Sequence, residues 1–345
     1  MRTITHAAAY LPEGSTEGRR TAGPDEDGFT LAATALERLP EITGAAPPAQ
    51  RLFLVGELPS TGEADLTRLW GGPLRSERFG PGEKGLRAAL GAATDRALAA
   101  ESVLLIAVDL AADAEALPNR APPTGPDGAV AVRIETAEGP DVSALGDPSG
   151  RAGSIGPLIE YAARERAVRA SGWGGNWDPA PSPVRPGESR PHPRPILPPV
   201  GPVSQGAYVP RPSYLESIPS RWRLEAERCA PCGTLNFPAR GRCRDCGMRD
   251  GLVRVRLDRD GGQVVAATTI GPGGQPTEFD EQVATAGPFQ VVLVELAVGA
   301  RATLQATDHF LGELTIGARV ATRLRRLYPM EGEWRYGRKA IPFEP

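Results

Sequence analysis

Cysteine is scarce in this chain of 345 residues: four in all, Cys229, Cys232, Cys243 and Cys246, and none elsewhere. That scarcity argues against a disulfide-dense secreted scaffold, which packs more cysteines into a shorter chain. Lysine is scarcer still. Only Lys84 and Lys339 are lysine, and every other basic residue is arginine; with abundant alanine, glycine and proline, this reads as coding bias rather than a functional signal. Histidine occurs three times, as His6, His192 and His309, in a terminal strand, a proline-rich tract and a β-rich region, and none is placed as a general base. No stretch approaches the ~20 apolar residues of a membrane span, and no signal-peptide pattern opens the chain. A net charge of −3 and a pI near 5.8 lack the basic field of a dedicated nucleic-acid binder. The expectation is a cytoplasmic protein with no membrane partner, and nucleic acid is disfavoured as a partner.

The four cysteines that are present form two CxxC pairs, Cys229-Ala-Pro-Cys232-Gly233 and Cys243-Arg-Asp-Cys246-Gly247. Each pair sets two thiols on one tight turn, and the glycine after it permits the positive φ such a turn needs. Two facing turns supply the four sulfurs of a tetrahedral Zn²⁺ site, so a zinc ribbon is expected. Two disulfides or a redox CxxC are the alternatives; the missing signal peptide speaks against the first and the matched pairs against the second. A four-sulfur site is closed to water and substrate, so its zinc is structural, and no cysteine remains as a catalytic nucleophile.

The chain's length suggests about two domains. Residues 1–170 alternate strand and helix signals. A helix is expected over Gly28–Leu39, capped by Asp25 or Asp27. Strands follow at Arg51–Gly56, Val103–Asp109 and Gly128–Ile134, with a helix over Glu83–Ala100 between them. The continuous apolar run Val103–Asp109 fits a strand buried on both faces, and the order implies an α/β layer. Residues 171–213 read as a linker, with twelve prolines between Pro179 and Pro212. Trp173 and Trp177 at its start either pack on a partner or cap the first domain. Residues 214–256 are a lead-in and the ribbon. Over 257–345, strand signals at Gln263–Ile270, Phe289–Leu296, Ala302–Ala306 and Arg319–Leu324 point to about five short strands in a small Greek-key barrel of the OB type.

Two resemblances attach to these segments. From Tyr214 to Phe343 the chain resembles the zinc-ribbon/OB-fold family that accompanies thiolases and acyl-CoA synthases. The residues that carry this are the ribbon with Phe237-Pro238-Ala239-Arg240 between its knuckles, Gly262-Gln-Val-Val-Ala-Ala-Thr268, Ile316-Gly317-Ala-Arg-Val320 and Tyr336-Gly-Arg-Lys339. That family implies a non-catalytic subunit that docks on a thiolase-fold enzyme and helps form its acyl-thioester tunnel. The first 140 or so residues resemble the first half of a thiolase-fold condensing enzyme, of the ketoacyl synthase III or hydroxymethylglutaryl-CoA synthase kind, through Tyr10-Leu-Pro12, Asp25-Glu-Asp27 before Thr30-Leu-Ala-Ala33, Val103–Asp109 and Gly128-Ala129. In those enzymes a cysteine opens the nucleophilic helix. Here the matching text is Glu83-Lys-Gly-Leu-Arg-Ala-Ala-Leu90, with Glu83 in the cysteine's place. A carboxylate does not support acyl exchange as a thiolate does. The half that would carry the catalytic His and Asn is replaced by the proline-rich linker.

The implied fold is an α/β thiolase-like half domain plus a rubredoxin-like zinc ribbon and an all-β OB barrel. The implied function is a non-catalytic accessory subunit of a thiolase-fold acyltransferase, condensing enzyme or aldolase, with structural zinc and an acyl-CoA or carrier-bound thioester as ligand. Other constellations are weaker. Glu57, just past a strand, stands near a glutamate that acts as general acid/base in hydroxymethylglutaryl-CoA synthases, and with Glu83 it forms the catalytic pair of the rival reading, an enzyme acting on a thioester by itself. Arg319, Arg323, Arg325 and Arg326 are candidates for coenzyme A phosphates or a solvated strand edge. Gly80-Pro-Gly82 and Gly271-Pro-Gly-Gly274 do not follow phosphate-loop patterns and read as turns. An OB-fold nucleic-acid binder is the third reading, disfavoured by few aromatics in the barrel strands.

Overall fold

The computed structural model describes residues 2–10, 12, 15–16, 19–20, 22–23, 25–39, 49–56, 58, 62–70, 74–95, 98–110, 127–136 and 158, and then 209–259, 261–296, 300–308, 312–330 and 332–343. The chain divides into two compact units, Met1–His192 and Pro193–Pro345. Most of the expected linker, with Trp173 and Trp177, lies outside the described residues.

In the first unit, β1 (Arg2–Tyr10) is followed by a hairpin of β2 (Ser15–Thr16) and β3 (Arg19–Arg20), then α1 (Gly28–Glu37), β4 (Arg51–Val55), α2 (Gly62–Trp70), β5 (Arg75–Phe79), α3 (Gly82–Ala93), β6 (Val103–Asp109) and β7 (Gly128–Thr136). Five strands form one mixed sheet in the order β1-β7-β6-β4-β5. The β4 strand runs parallel to β5 and β6, whereas β7 is antiparallel to both β6 and β1. All seven residues of β6 are buried, as its continuous apolar run requires. One face of the sheet packs Phe53, Val55, Leu105 and Val132 against Leu86, Ala89 and Ala93 of α3. The alternate residues Leu52, Leu54, Leu104 and Ile106 are buried as well. Between the two expected caps, Asp27 starts α1: its Oδ1 accepts from the Thr30 N–H at 2.9 Å, and the Thr30 hydroxyl oxygen accepts from the Asp27 N–H at 2.7 Å.

Two features depart from the sequence expectation here. The α3 helix stops at Ala93 rather than Ala100, because Thr94 closes the last turn with its N–H and hydroxyl on Gly91 O and neighbouring carbonyls. Sequence patterning also missed α2 and β5. The β5 strand, Arg-Ser-Glu-Arg-Phe, is a sheet edge with charged, exposed residues and no apolar alternation to reveal it.

The second unit opens with α4 (Arg211–Trp222), which begins inside the segment expected to be linker; Pro212 is tolerated there because an N–H in the first turn has no intrahelical carbonyl to bond, so none is lost. Then come β8 (Glu225–Cys229), β9 (Leu235–Asn236), β10 (Leu252–Arg256) and β11 (Gly262–Ile270). A 3₁₀ turn (Thr277–Phe279) leads into α5 (Asp280–Ala286), followed by β12 (Phe289–Leu296), β13 (Arg301–Gln305), β14 (Arg319–Met330) and β15 (Glu333–Pro342). Three strands form a small sheet, β10-β8-β9, and five form a larger one, β13-β12-β11-β14-β15, antiparallel throughout. The β14 strand runs six residues past its expected end at Leu324, carried by a long ladder with β15.

The ends of the larger sheet meet at one bridge, Ala306 to Ala340, where the Thr307 N–H donates to Ala340 O at 2.9 Å. Among the described residues no longer ladder joins β13 to β15, so the five strands form one sheet whose two edges touch at this single bridge. The unit's core gathers Val264, Val292, Val294, Leu296, Leu304 and Val320. The α4 helix is pinned to β15: the Trp222 indole N–H donates to Tyr336 O at 3.1 Å, and the Tyr336 N–H donates to the Tyr214 hydroxyl at 2.9 Å.

Candidate metal centre

Each cysteine pair sits on a turn built the same way. In the first, the Cys229 N–H donates to Thr234 O and the Gly233 N–H to Cys229 O; in the second, the Cys243 N–H donates to Met248 O and the Gly247 N–H to Cys243 O. Gly233 and Gly247 take φ of 76° and 75°, a left-handed conformation that a side chain would strain. The two knuckles are tied together by polar side chains. The Thr234 hydroxyl donates to Asp245 Oδ2 at 2.7 Å, and the buried Asn236 accepts the Arg244 N–H at 2.9 Å while donating to Glu227 O at 3.2 Å. Glu227 Oε2 accepts the N–H groups of Arg240 and Gly241 at 3.0 and 2.8 Å, which shapes the approach to the second knuckle.

These turns bring all four sulfurs within 4.8 Å of one another. The Cys229–Cys246 and Cys232–Cys243 Sγ separations are both 3.5 Å. Zinc–sulfur bonds of ~2.3 Å in a tetrahedron put sulfurs about 3.8 Å apart. The four cysteines therefore fit a tetrahedral metal ion as they stand. Cys229 and Cys243 are buried and Cys232 and Cys246 exposed, so one sulfur of each pair faces inward.

The thiols are unequal. The backbone N–H of Cys246 draws the Cys243 thiol down to about 6. The hydroxyl and N–H of Thr234 draw Cys232 down as well. At Cys229 the Cys232 N–H pulls the same way, but burial and the three crowded neighbouring thiols outweigh it and push the thiol up to about 12. Cys246 is also raised, since burial and contact with Cys232 and Cys243 outweigh the Met248 N–H. Such a mixed set holds protons that a cation displaces when thiolates become its ligands.

The other candidates from sequence are not gathered into a site. Glu57, His192 and His309 lie outside the described residues; Glu83 is in the first turn of α3, its side chain likewise outside them. His6 is in β1, held below its usual pKa by burial and by Arg133. The four β14 arginines point apart. Arg319 stacks on Phe343 at 4.0 Å and Arg326 on Trp334 at 4.7 Å, while Arg325 is buried against Asp308 at 2.9 Å and Arg323 donates to Thr322 O at 3.1 Å.

Sequence reading missed a buried charge network that anchors the ribbon to the larger sheet. Asp258, two residues past β10, takes Arg256 and Arg338 at 2.6 Å each, and Arg338 also donates to Trp222 O. The Thr322 hydroxyl donates to Asp258 O at 3.0 Å. Nothing in the local text Arg-Leu-Asp-Arg announces this, because its main partner lies 80 residues away.

No family model matches the chain. A DUF35 domain-containing scaffold protein of Methanocaldococcus jannaschii is 30% identical over 129 residues, which are 37% of this chain and 86% of that protein. The chain belongs to the DUF35-domain scaffold proteins. Among solved structures, the one described as the Ltp2-ChsH2(DUF35) aldolase is 26% identical, covering 39% of this chain and 98% of that one at a TM-score of 0.30. The 3-oxoacyl-[acyl-carrier-protein] synthase III of Aquifex aeolicus VF5 is 18% identical, covering 40% of this chain and 55% of that one at a TM-score of 0.33. No helix among the described residues is long and apolar enough to cross a membrane.

Proposed function

We propose that this DUF35 scaffold protein is a non-catalytic subunit that assembles with a thiolase-fold acyltransferase, condensing enzyme or aldolase and helps form its acyl-thioester channel. The observation that carries this reading is the convergence of every cysteine of the chain on one four-sulfur point. The chain thus has a centre suited to holding structure and no thiol left for acyl-enzyme chemistry. Its membership among scaffold proteins supports the same reading.

In this proposal residues 1–170 are a thiolase-like half domain that offers a face to the partner, and 171–213 are a tether. Residues 214–256 are the lead-in and a rubredoxin-like ribbon holding structural Zn²⁺, and 257–345 are an OB-type sheet against which an acyl-CoA or carrier-bound thioester lies. The gain is shielding: a thioester passed within a closed channel is kept from water. The assembly works in the cytoplasm.

Co-expression with a thiolase-fold condensing enzyme or aldolase, followed by size exclusion and thioester turnover with and without this chain, tests the reading. The expected result is a stable complex whose turnover falls when this chain is omitted. A chain that runs alone and processes thioesters by itself overturns it, and Glu57 and Glu83 then become the first residues to mutate.

A further inference from the structure

Charge is not spread evenly over this molecule. The first unit, Met1–His192, carries 19 basic and 26 acidic residues, and the second, Pro193–Pro345, carries 20 and 16. Within the second unit the excess is local. Residues 223–256, which hold the metal centre, contain eight arginines, no lysine and four carboxylates. Six of the eight arginines, Arg228, Arg240, Arg242, Arg244, Arg249 and Arg254, are exposed.

Three of the four nearby carboxylates are engaged within the fold, and the fourth, the exposed Asp250, forms no ion pair among the described residues. Glu225 is buried on Arg223 at 2.6 Å and reaches Arg254 only at 3.6 Å. Glu227 gives one oxygen to two backbone N–H groups, and Asp245 accepts the Thr234 hydroxyl and lies 3.6 Å from Arg244. Among the described residues, Arg228, Arg240, Arg242 and Arg249 have no carboxylate partner. Four of the exposed arginines, at 240, 242, 244 and 249, stand on the second knuckle. Its backbone is held by the Glu227 and Asn236 bonds, and the Arg242 Nε adds a bond to Gly247 O at 3.2 Å. A surface fixed in this way pays little ordering entropy when it binds. Met248 and Val253, 44% and 57% exposed, add apolar area to the same segment, and apolar side chains and arginine are both common in protein interfaces.

We infer that the arginine-bearing face of the cysteine knuckles docks an acidic protein surface, with exposed Asp and Glu carboxylates as the recognised groups. Guanidinium forks suit carboxylates, which they take two hydrogen bonds at a time. A nucleic acid is the lesser fit: Phe237 is the one aromatic residue in 223–256, and it packs against the unit's core instead of offering a stacking platform. The inference rests on the scaffold reading for the partner being a protein. It adds which face is used and the charge of what it meets.

The test uses the full-length, zinc-loaded protein and three probes, polyglutamate, polyglutamine and a single-stranded DNA oligonucleotide, at 50 and 300 mM NaCl. Polyglutamate should bind, weakening about tenfold or more between the two salts as screening shortens the field, while polyglutamine should not bind. Reversing Arg240, Arg242, Arg244 and Arg249 to Glu should abolish polyglutamate binding with zinc content intact. Neutralising the same four to Gln should weaken it, which guards against a reversal that disturbs the fold. An equal reversal of exposed arginines elsewhere, Arg75, Arg78, Arg87 and Arg301, should leave binding within about threefold, because those charges lie outside the docking face. The inference is overturned if the two reversals weaken binding equally, if polyglutamate does not bind at 50 mM NaCl, or if the oligonucleotide binds more tightly than polyglutamate. None of these results depends on a thiolase-fold partner, so failure here and failure of the scaffold reading are told apart.

Discussion

The two units of this chain keep their order by different means. In the first, a mixed sheet is sealed by aliphatic side chains, with β6 buried from Val103 to Asp109 and α1 buried from Gly28 to Leu36. Charge is buried in both units, Arg133 and Asp127 in the first and Arg325, Arg335, Arg338, Lys339 and Asp258 in the second, but the second also builds its smaller sheet around four cysteines. Apolar burial is non-directional and has no charge to screen or protonate, whereas buried charges and metal ligands depend on partners and protonation. The same chain should therefore respond to apolar truncation at one end and to metal, acid and charge at the other.

The largest break in this comparison should come from the metal. Replacing Cys243 with Ser, or stripping metal with a strong chelator, should unfold the ribbon around β8, β9 and β10, because a four-sulfur site of this size supplies the folding free energy of its lobe. Hydrogen exchange should show protection lost there and retained in β4 and β6. Zinc affinity should weaken as the pH falls, since the Cys229 thiol, pushed up to about 12, gives up a proton to bind.

Next in size is the Asp258 network. Arg338→Ala should cost about 3 to 5 kcal/mol by leaving a buried carboxylate short of its main partner, measured as denaturant stability of the second unit. Burial pushes the Asp258 carboxyl up, but Arg338 and Arg256 outweigh it, and the net pKa is lowered. A folded pKa below the unfolded one gives stability that is present above the ordinary carboxylate pKa of about 4 and lost as pH falls through the folded value. Acid titration should therefore remove this network's contribution only below about pH 4, and Asp258→Asn should flatten that step.

In the first unit the matching break is apolar. Ile106 is fully buried in β6, and Ile106→Ala should cost about 3 kcal/mol through lost transfer energy and an unfilled cavity, with zinc content and acid response unchanged. The smallest effect is at the start of α1, where Asp27→Ala removes the N-cap acceptor for Thr30 and should cost about 1 kcal/mol in thermal stability.

The sequence was legible where information is local. The strands Arg51–Val55, Val103–Asp109 and Phe289–Leu296 follow from their apolar runs, Asp27 was one of two residues considered as a cap, and the cysteine spacing pointed to one four-sulfur site. It was poorly legible where pattern and role diverge. The β5 strand carries charges on an exposed edge, and α4 starts on Arg-Pro, a text that belongs to a linker by composition. The arginines of β14 looked like one cluster because they are close in the chain, but strand alternation and separate partners send them to Phe343, Asp308 and Trp334.

The chain's order by itself determined the two cysteine turns, because two residues between cysteines constrain a turn whatever surrounds it. Only the tertiary structure decided which arginines are paired within the fold and which stay exposed. Arg338 reaches Asp258 across 80 residues, and Tyr214 meets Tyr336 across 122. Pairings of that length are set by how strands and helices stack, and no local pattern encodes them. The exposed arginines on the second knuckle remain because Glu225 and Glu227 are engaged within the fold.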